Sequence, residues 1–148
     1  MKELHTEIEI NASPEQVWQL LTDFSRLPEW NPFIQRASGN LNPGEKIEVR
    51  LQPPDATGMT IKPTITRVEP QRELRWLGHL LFPGLFDGEH IFTLEPVANN
   101  RVKLIHREEF RGLLAGLILR MVGENTRRGF EAMNQALKIE AEKQNNTA

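Results

Sequence analysis

Two histidines and a glutamate fall on the predicted apolar face of two neighbouring strands. In the segment RVKLIHREEF (residues 101–110), His106 and Glu108 share even-numbered positions with three apolar residues: Val102, Leu104 and Phe110. His90 likewise shares its parity with Phe92 in the segment before it. Strict alternation is typical of a half-buried strand whose apolar set faces the interior. His90, His106 and Glu108 are therefore expected to point inward, where each needs a polar partner.

These residue types allow several kinds of chemistry. A buried Glu108 with a raised pKa, held against His90 or His106, could move a proton in an aldol-type cyclisation or a dehydration, which makes His106 and Glu108 the catalytic candidates. The same groups could orient the polar end of a bound molecule without catalysis. His90 and Glu108 could also satisfy one another as an internal pair. The residues alone do not decide among these alternatives.

A metal site is a further alternative, because two histidines and a carboxylate form a known type of ligand set. No close spacing such as His-x-x-x-His supports it, and we predict neither a metal nor another cofactor. The chain has no cysteine, which excludes disulfides, thiolate ligands and thiol catalysis. No serine lies in a recognisable nucleophile elbow, so nucleophilic catalysis is not indicated.

The register of the hairpin decides which polar side chains meet. If Pro96 pairs with Val102, then His90 lies opposite Glu108, and partners of this kind have Cβ atoms about 4.5–5.5 Å apart. A one-residue slip would turn the two apolar faces to opposite sides and is excluded. A two-residue slip remains open and would pair His90 with His106 instead.

The N-terminal part predicts a strand and two short helices. One face of the strand carries Leu4, Thr6, Ile8 and Ile10. Ser13 and Gln16 then form a capping-box pattern at the start of an amphipathic helix. Pro28 and Pro32 bracket Trp30 and should end a short second helix.

The middle and the end of the chain predict a sheet followed by a helix. Residues 33–110 read as consecutive strands with short turns, which indicates an antiparallel sheet. The apolar parity changes between Ile65 and Val68, so we expect a bulge there. A helix from Leu113 to about Lys143 must then cover the apolar face of the sheet. Gly123 and Gly129 lower its propensity by about 1 kcal/mol each, which allows a bend or break near them.

Four segments resemble the START-like, or SRPBCC, superfamily: SPEQVWQLLTDFSRLPEWNPFI, VEPQRELRW, GEHIFTLEP and HREEFRG. The chain is most similar to the polyketide cyclase/dehydrase and lipid-transport type, over residues from about Leu4 to Glu142. The resemblance implies an α+β helix-grip fold, in which a curved seven-stranded antiparallel sheet wraps around a long C-terminal helix. Two short helices lie between strands 1 and 2, and residues 1–148 form a single domain.

The resemblance also implies a cavity between sheet and helix that holds a small hydrophobic or amphipathic molecule, lipid- or polyketide-like. The residues expected to contact it are Trp30, Phe33, Trp76, His90, Phe92, His106, Glu108, Phe110, Leu114, Ile118 and Met121. The alternative is a cyclase or dehydratase that uses His106 and Glu108 as general acid and base. A third alternative is an interaction module whose shallow groove recognises a protein.

Two segments near the expected cavity have open roles. The apolar loop Leu81–Gly88 either packs over the sheet edge or closes the cavity as a lid. Three arginines, Arg120, Arg127 and Arg128, are expected on the exposed face of the helix. In the alternative, one of them reaches the cavity rim and holds an anionic group.

Charge and hydropathy limit the partners. A net charge of −2 and a pI of about 6.1 argue against nucleic-acid binding. The most apolar window, Gly112–Gly123, is too short to span a bilayer and contains Arg120. The N-terminus alternates polar and apolar residues, unlike a signal peptide. We therefore expect a cytoplasmic protein without stable membrane insertion, and its oligomeric state is left open.

Overall fold

One long helix packs across a sheet in which the first strand of the chain lies beside the last one. The computed structural model describes residues 2–146. Its strands are β1 (Lys2–Ile10), β2 (Ile34–Ser38), β3 (Glu48–Leu51), β4 (Met59–Ile61), β5 (Thr64–Glu69), β6 (Glu73–His79), β7 (Asp87–Ala98) and β8 (Arg101–Arg111). Its helices are α1 (Pro14–Thr22), α2 (Leu27–Trp30) and α3 (Ala115–Asn146), with a 3₁₀ turn at Phe24–Arg26. The predicted α+β class, with antiparallel sheets and a long C-terminal helix, is confirmed.

The prediction of one seven-stranded sheet is wrong. Eight strands form two antiparallel sheets, a five-stranded one in the order β1-β8-β7-β6-β5 and a three-stranded one in the order β2-β3-β4. The division falls at Pro63, between β4 and β5, because proline has no N–H to continue a ladder. Backbone hydrogen bonds from Ile47 N to the Pro63 carbonyl (3.0 Å) and from Ile65 N to the Glu45 carbonyl (2.9 Å) connect the two sheets.

The structure confirms one predicted feature of strand pairing and decides another that the sequence left open. The β5–β6 register shifts between Ile65 and Arg67, so the expected bulge lies just before Val68. In the β7–β8 hairpin, His90 is the cross-strand partner of Glu108. The interior-facing parity assigned to both strands is therefore the observed one, and it brings the three polar residues to the face that α3 covers.

The start of α1 has the predicted cap. The Ser13 hydroxyl accepts a hydrogen bond from Gln16 N (3.2 Å), while the Gln16 side chain accepts one from Ser13 N (2.9 Å). This reciprocal pair satisfies two backbone donors that a helix start otherwise leaves open. The helix then buries Val17, Leu20 and Leu21 against the core.

Helix α3 is continuous through both of its interior glycines, Gly123 and Gly129. Its buried stripe comprises Phe130, Met133, Asn134, Leu137 and Ala141. A Cβ at Gly129 would lie 2.5 Å from Cδ1 of Phe33, so the missing side chain lets the helix approach the Phe33 ring. No helix within residues 2–146 is long and apolar enough to cross a membrane.

Alanine at these two glycines is expected to have opposite effects. Both substitutions gain about 1 kcal/mol in helix propensity. At Gly123 the new Cβ would come no closer than 3.8 Å to its nearest neighbour, a Leu119 side-chain atom. At Gly129 it must displace the Phe33 ring, and such overpacking costs about 1–3 kcal/mol. In urea unfolding, Gly129→Ala should be less stable than Gly123→Ala by that amount, and equal stability would contradict the packing described here.

Candidate functional site

A chain of polar side chains crosses the interior between α3 and the five-stranded sheet. It runs from Thr6 on β1 through Asn134 on α3 to His106 on β8, then to His90 on β7 and Glu108 on β8. Thr6 is 8% exposed, and the other three inner members are between 0% and 3% exposed. Buried polar groups of this kind stabilise a fold only when they are paired.

The inner part of this polar chain is closely hydrogen-bonded. The Thr6 hydroxyl donates to the His106 carbonyl (2.7 Å), and Asn134 Nδ2 donates to Thr6 Oγ1 (2.9 Å). Asn134 Oδ1 lies 2.8 Å from His106 Nδ1, and the two Nε2 atoms of His106 and His90 are 2.7 Å apart. The imidazoles thus meet diagonally across the hairpin, although the direct cross-strand partner of His90 is Glu108.

Glu108 forms the outer end of the polar chain. Its Oε1 lies 3.8 Å from His90 Nδ1, which is too far for a hydrogen bond. Its Oε2 lies over Gly88, where an added Cβ would overlap with it. The side chain retains 19% of its exposure, whereas that of His90 retains 2%. Glu108 is therefore the member of the polar chain that solvent reaches.

Aromatic rings enclose the two imidazoles. The Phe130 ring stacks on His106 at a centroid distance of 4.1 Å and lies 5.0 Å from His90. Phe92 lies 4.7 Å from His90 and 4.6 Å from His106, and Trp76 lies 5.1 Å from His90. At this point the space between sheet and helix is filled by Phe130. A ligand could reach the imidazoles only if a ring moved.

Burial sets the charge state of the site. It lowers the pKa of His90 well below the ordinary range, and the neighbouring His106 lowers it further. Burial also lowers the pKa of His106 to about 3, although the hydrogen bond with Asn134 partly opposes this. Burial raises the pKa of Glu108 to about 8, and the remaining exposure lets water moderate that rise. These shifts favour uncharged imidazoles and a protonated Glu108 at neutral pH.

The structure brings together seven of the residues predicted to contact a ligand. Trp76, His90, Phe92, His106 and Glu108 form the polar chain and its aromatic walls. Phe33 lies edge-on against Phe130, with centroids 5.5 Å apart. Phe110 lies beside Gly88 and stacks on Phe86 at 5.4 Å.

The other four predicted contact residues lie elsewhere. Trp30 is half-buried, and its indole N–H has no hydrogen-bond partner among residues 2–146. Leu114 and Ile118 are half-buried near the start of α3. Met121 is 72% exposed, so its side chain faces away from the interior. None of these four takes part in the described hydrogen bonds or ring contacts of the polar chain.

Two clefts open to the surface beside α3 among residues 2–146. One of about 300 Å³ is lined by Pro32, Phe33, Gln52, Pro53, Pro54, Asp55, Gly129 and Ala132. The other, of about 470 Å³, is lined by Lys2, Gly116, Leu117, Leu119 and Arg120. Neither includes a member of the polar chain.

Two of the three arginines on α3 contact the surface of the fold. Arg127 donates to the His5 carbonyl at 3.0 Å, and Arg128 pairs with Asp55 at 3.0 Å beside the smaller cleft. Arg120 is exposed and lines the larger cleft. These positions match the exposed face that the sequence predicts for them.

The loop between β6 and β7 is held against Phe110 and the residues just before α3. Its ends are joined by a backbone hydrogen bond from Leu80 N to the Phe86 carbonyl (2.9 Å). Leu113 N and Leu114 N donate to the carbonyls of Gly84 and Leu85, at 3.1 and 2.9 Å. Phe86 stacks on Phe110, while two other loop residues project outward: Leu81 is 83% exposed and Phe82 58%.

Sequence reasoning missed two members of the polar chain. Thr6 was placed on the inner face of β1 without a role, and Asn134 was not considered. Asn134 lies one turn after Phe130 and three residues before Leu137, within the apolar stripe of α3. A lone amide in such a stripe predicts a buried polar contact, because an amide buried there requires a hydrogen-bond partner.

A family model described as polyketide cyclase/dehydrase and lipid transport matches residues 1–142 of the chain. No curated protein sequence matches it significantly. Among solved structures it is similar to the Zhui aromatase/cyclase from Streptomyces sp. R1128, with 15% identity and a TM-score of 0.75, over 95% of this chain and 93% of that one.

Two further structures show the same fold. A START superfamily protein from Mycobacterium smegmatis is 15% identical with a TM-score of 0.71, over 95% of this chain and 97% of that one. A norcoclaurine synthase from Thalictrum flavum is 15% identical with a TM-score of 0.73, over 97% and 96%. At this identity the likeness concerns the fold and not the reaction.

Proposed function

Because the chain belongs to the polyketide cyclase/dehydrase and lipid transport family, we propose that it binds a small hydrophobic or amphipathic molecule whose polar end meets Glu108. One observation carries the proposal: no described side chain forms a hydrogen bond with the Glu108 carboxyl, which lies at the partly exposed end of a buried polar chain. A carboxyl group with unused hydrogen-bonding capacity in apolar surroundings suits the polar end of a ligand.

The competing interpretation is an internal pair of His90 and Glu108. The separation of 3.8 Å is too long for that pair to satisfy itself, and His90 already uses its other ring nitrogen on His106. A pair that served only the core would be expected at hydrogen-bonding distance, whereas the Glu108 side chain keeps 19% of its exposure and stays 3.8 Å from His90. The gap therefore favours a third participant.

We propose that the ligand enters beneath the loop Leu80–Phe86. A few backbone hydrogen bonds and the Phe86–Phe110 stack hold the loop in place. Its opening would uncover apolar surface beside Glu108. Burial of such surface by the ligand contributes about 25 cal/mol per Å². In this proposal the loop is the lid, and the exposed Leu81 and Phe82 lie on its outer side.

Alanine at Gly88 should weaken binding by displacing the Glu108 carboxyl. A suitable probe is prodan, a fluorescent dimethylamino-naphthyl ketone whose carbonyl oxygen is its main hydrogen-bond acceptor. We expect prodan to bind the wild type with a blue-shifted emission, and Gly88→Ala to bind it about tenfold more weakly, a loss of about 1.4 kcal/mol. Gly78 is the matched control, because it pairs with Gly88 across the sheet and an added Cβ there comes no closer than 3.9 Å to Pro63.

Gly78→Ala should bind prodan as the wild type does. Native mass spectrometry of the purified protein adds a second readout, since a co-purified molecule should be retained by Gly78→Ala and lost from Gly88→Ala. Equal prodan affinity in all three proteins, or no binding by any of them, would contradict the proposed site.

A second candidate function is acid–base catalysis, which the raised pKa of Glu108, about 8, favours. A carboxyl group that keeps its proton at neutral pH can donate it to a carbonyl or to a departing hydroxyl group. The substitutions Glu108→Gln and His106→Ala separate this from binding alone. Lost dehydration of a β-hydroxy aryl ketone with retained affinity would favour an enzyme, and a parallel loss of affinity would favour a carrier.

A further inference from the structure

We infer that Thr6 and Asn134 are positioning residues that fix the direction of the hydrogen bonds along the polar chain, so that its Glu108 end offers a proton donor to the ligand. The inference deepens the proposed function and rests on it for its meaning. Its structural basis is independent of any ligand, because it follows from which atoms can donate and which can accept.

The direction of the hydrogen bonds along the polar chain is set at the backbone carbonyl of His106. The carbonyl oxygen of His106 can only accept, so the Thr6 hydroxyl at 2.7 Å must donate to it. That hydroxyl has a single hydrogen, and Thr6 Oγ1 is therefore an acceptor toward Asn134. Asn134 must place its NH₂ group there, at 2.9 Å, which turns its Oδ1 toward His106 Nδ1 at 2.8 Å.

The same logic passes through both imidazoles. Asn134 Oδ1 accepts from His106, so His106 carries its proton on Nδ1. His106 is fully buried and contacts no carboxylate, which keeps it neutral and leaves a lone pair on its Nε2. His90 Nε2, at 2.7 Å, must then donate its own N–H to that lone pair. His90 Nε2 donates to His106 in this way whether His90 is neutral or protonated.

One mobile proton remains at the outer end, between His90 Nδ1 and Glu108. On Glu108 it leaves both groups neutral, and on His90 it creates a buried ion pair. Removing two charges from water is expensive, so the neutral arrangement is favoured. A neutral Glu108 presents an O–H group. The site therefore selects a ligand whose polar end is a neutral oxygen acceptor, such as a ketone carbonyl, over one that ends in an ammonium group.

Removal of the Thr6 hydroxyl should allow the hydrogen bonds along the polar chain to reverse. The Asn134 amide could then rotate by half a turn and present its NH₂ group to His106 Nδ1. His106 would carry its proton on Nε2, and His90 would direct an Nδ1–H toward Glu108, which favours the carboxylate. Thr6 would thus control the proton at Glu108 without touching it, through Asn134 and the two imidazoles.

The tautomers can be observed by two-bond ¹H–¹⁵N correlation spectra of the histidine rings at neutral pH. The exposed His5 and His79 are replaced by glutamine in every sample, so that only the two buried rings remain. The inference predicts one tautomer for each ring, with the proton on Nδ1 of His106 and on Nε2 of His90. Thr6→Ser, which keeps the hydroxyl, should retain this pattern, and Thr6→Val should give a mixture or the reversed pattern.

A wild-type His106 protonated on Nε2 would overturn the inference, and so would an unchanged pattern in Thr6→Val. If Thr6→Val does not fold, the wild-type and Thr6→Ser spectra still decide the direction of the hydrogen bonds. The spectra require no ligand. A failure of prodan to bind would therefore refute the proposed function alone, and a wrong tautomer would refute this inference alone.

Discussion

Replacing Phe130 by alanine is expected to lower the free energy of unfolding by about 3–5 kcal/mol. The Phe130 ring is fully buried, stacks on His106 and meets Phe33 edge-on. The substitution removes the apolar surface of the ring from the core and leaves a cavity that the surrounding rings fill only in part. It also removes the ring that keeps water from the two imidazoles.

Urea unfolding monitored by tryptophan fluorescence gives the measurement. Leu117→Ala is the control on the same helix, because Leu117 is 56% exposed and its loss should change stability by no more than about 0.5 kcal/mol. Similar losses in the two variants would mean that Phe130 does not fill the space between helix and sheet. That outcome would favour the cavity that the family resemblance implies.

The second large effect is a loss of stability as the pH rises from 6.5 to 8. An acid with a raised pKa in the folded state holds its proton more tightly there than in the unfolded chain. Glu108 has an ordinary pKa of about 4.5 and a folded pKa of about 8, so its contribution favours folding below 4.5 and is lost as the pH rises toward 8. The slope reaches at most about 1.4 kcal/mol per pH unit, moderated by the partial exposure of the side chain.

The two buried histidines affect stability at pH values below this window. Their folded pKa values are lowered, so the unfolded chain binds more protons below a pH of about 6.5, and stability falls as the pH drops further. The four carboxylates with lowered pKa values, Glu7, Glu73, Asp87 and Glu142, lose their contributions only at still lower pH. Glu108 is thus the group with a resolved shift that titrates between pH 6.5 and 8.

Glu108→Gln isolates this effect, since an amide of nearly the same shape cannot ionise. Denaturant unfolding at a series of pH values should show the wild type losing stability by up to about 2 kcal/mol over the window, whereas Glu108→Gln stays level. Both proteins should still lose stability below pH 6.5. A wild-type profile that is flat between pH 6.5 and 8 would show that Glu108 is ionised in the folded protein.

The strand faces could be predicted from the sequence because the alternation of β7 and β8 is strict, and the hairpin register was thereby limited to shifts of two residues. A half-buried strand has only two faces, and a shift by one residue moves every apolar side chain to the wrong one. Of the two pairings that parity allows, the structure has His90 opposite Glu108 rather than opposite His106. The capping box at Ser13 and the bulge near Ile65 could also be predicted, because each depends on a few neighbouring residues.

Contacts between segments far apart in the chain could not be predicted from the sequence. The hydrogen bond from Asn134 to Thr6 joins residues 128 positions apart, and no local pattern specifies it. The stacking of Phe130 on His106 depends on how closely α3 approaches the sheet, which Gly129 permits by leaving room for Phe33. The helical stripe at the start of α3 suggested an inward Met121, but Ala115 and Leu119 face the core there and Met121 lies on the exposed side of the helix.

The most direct test of the account is a ¹³C titration of the Glu108 carboxyl, assigned with Glu108→Gln and recorded with and without prodan. We expect a midpoint near 8 in the free protein. Prodan should raise it further, because a ketone oxygen binds the protonated form and not the carboxylate. A midpoint in the ordinary range of about 4–5, unchanged by prodan, would contradict both the protonated Glu108 and its contact with a ligand.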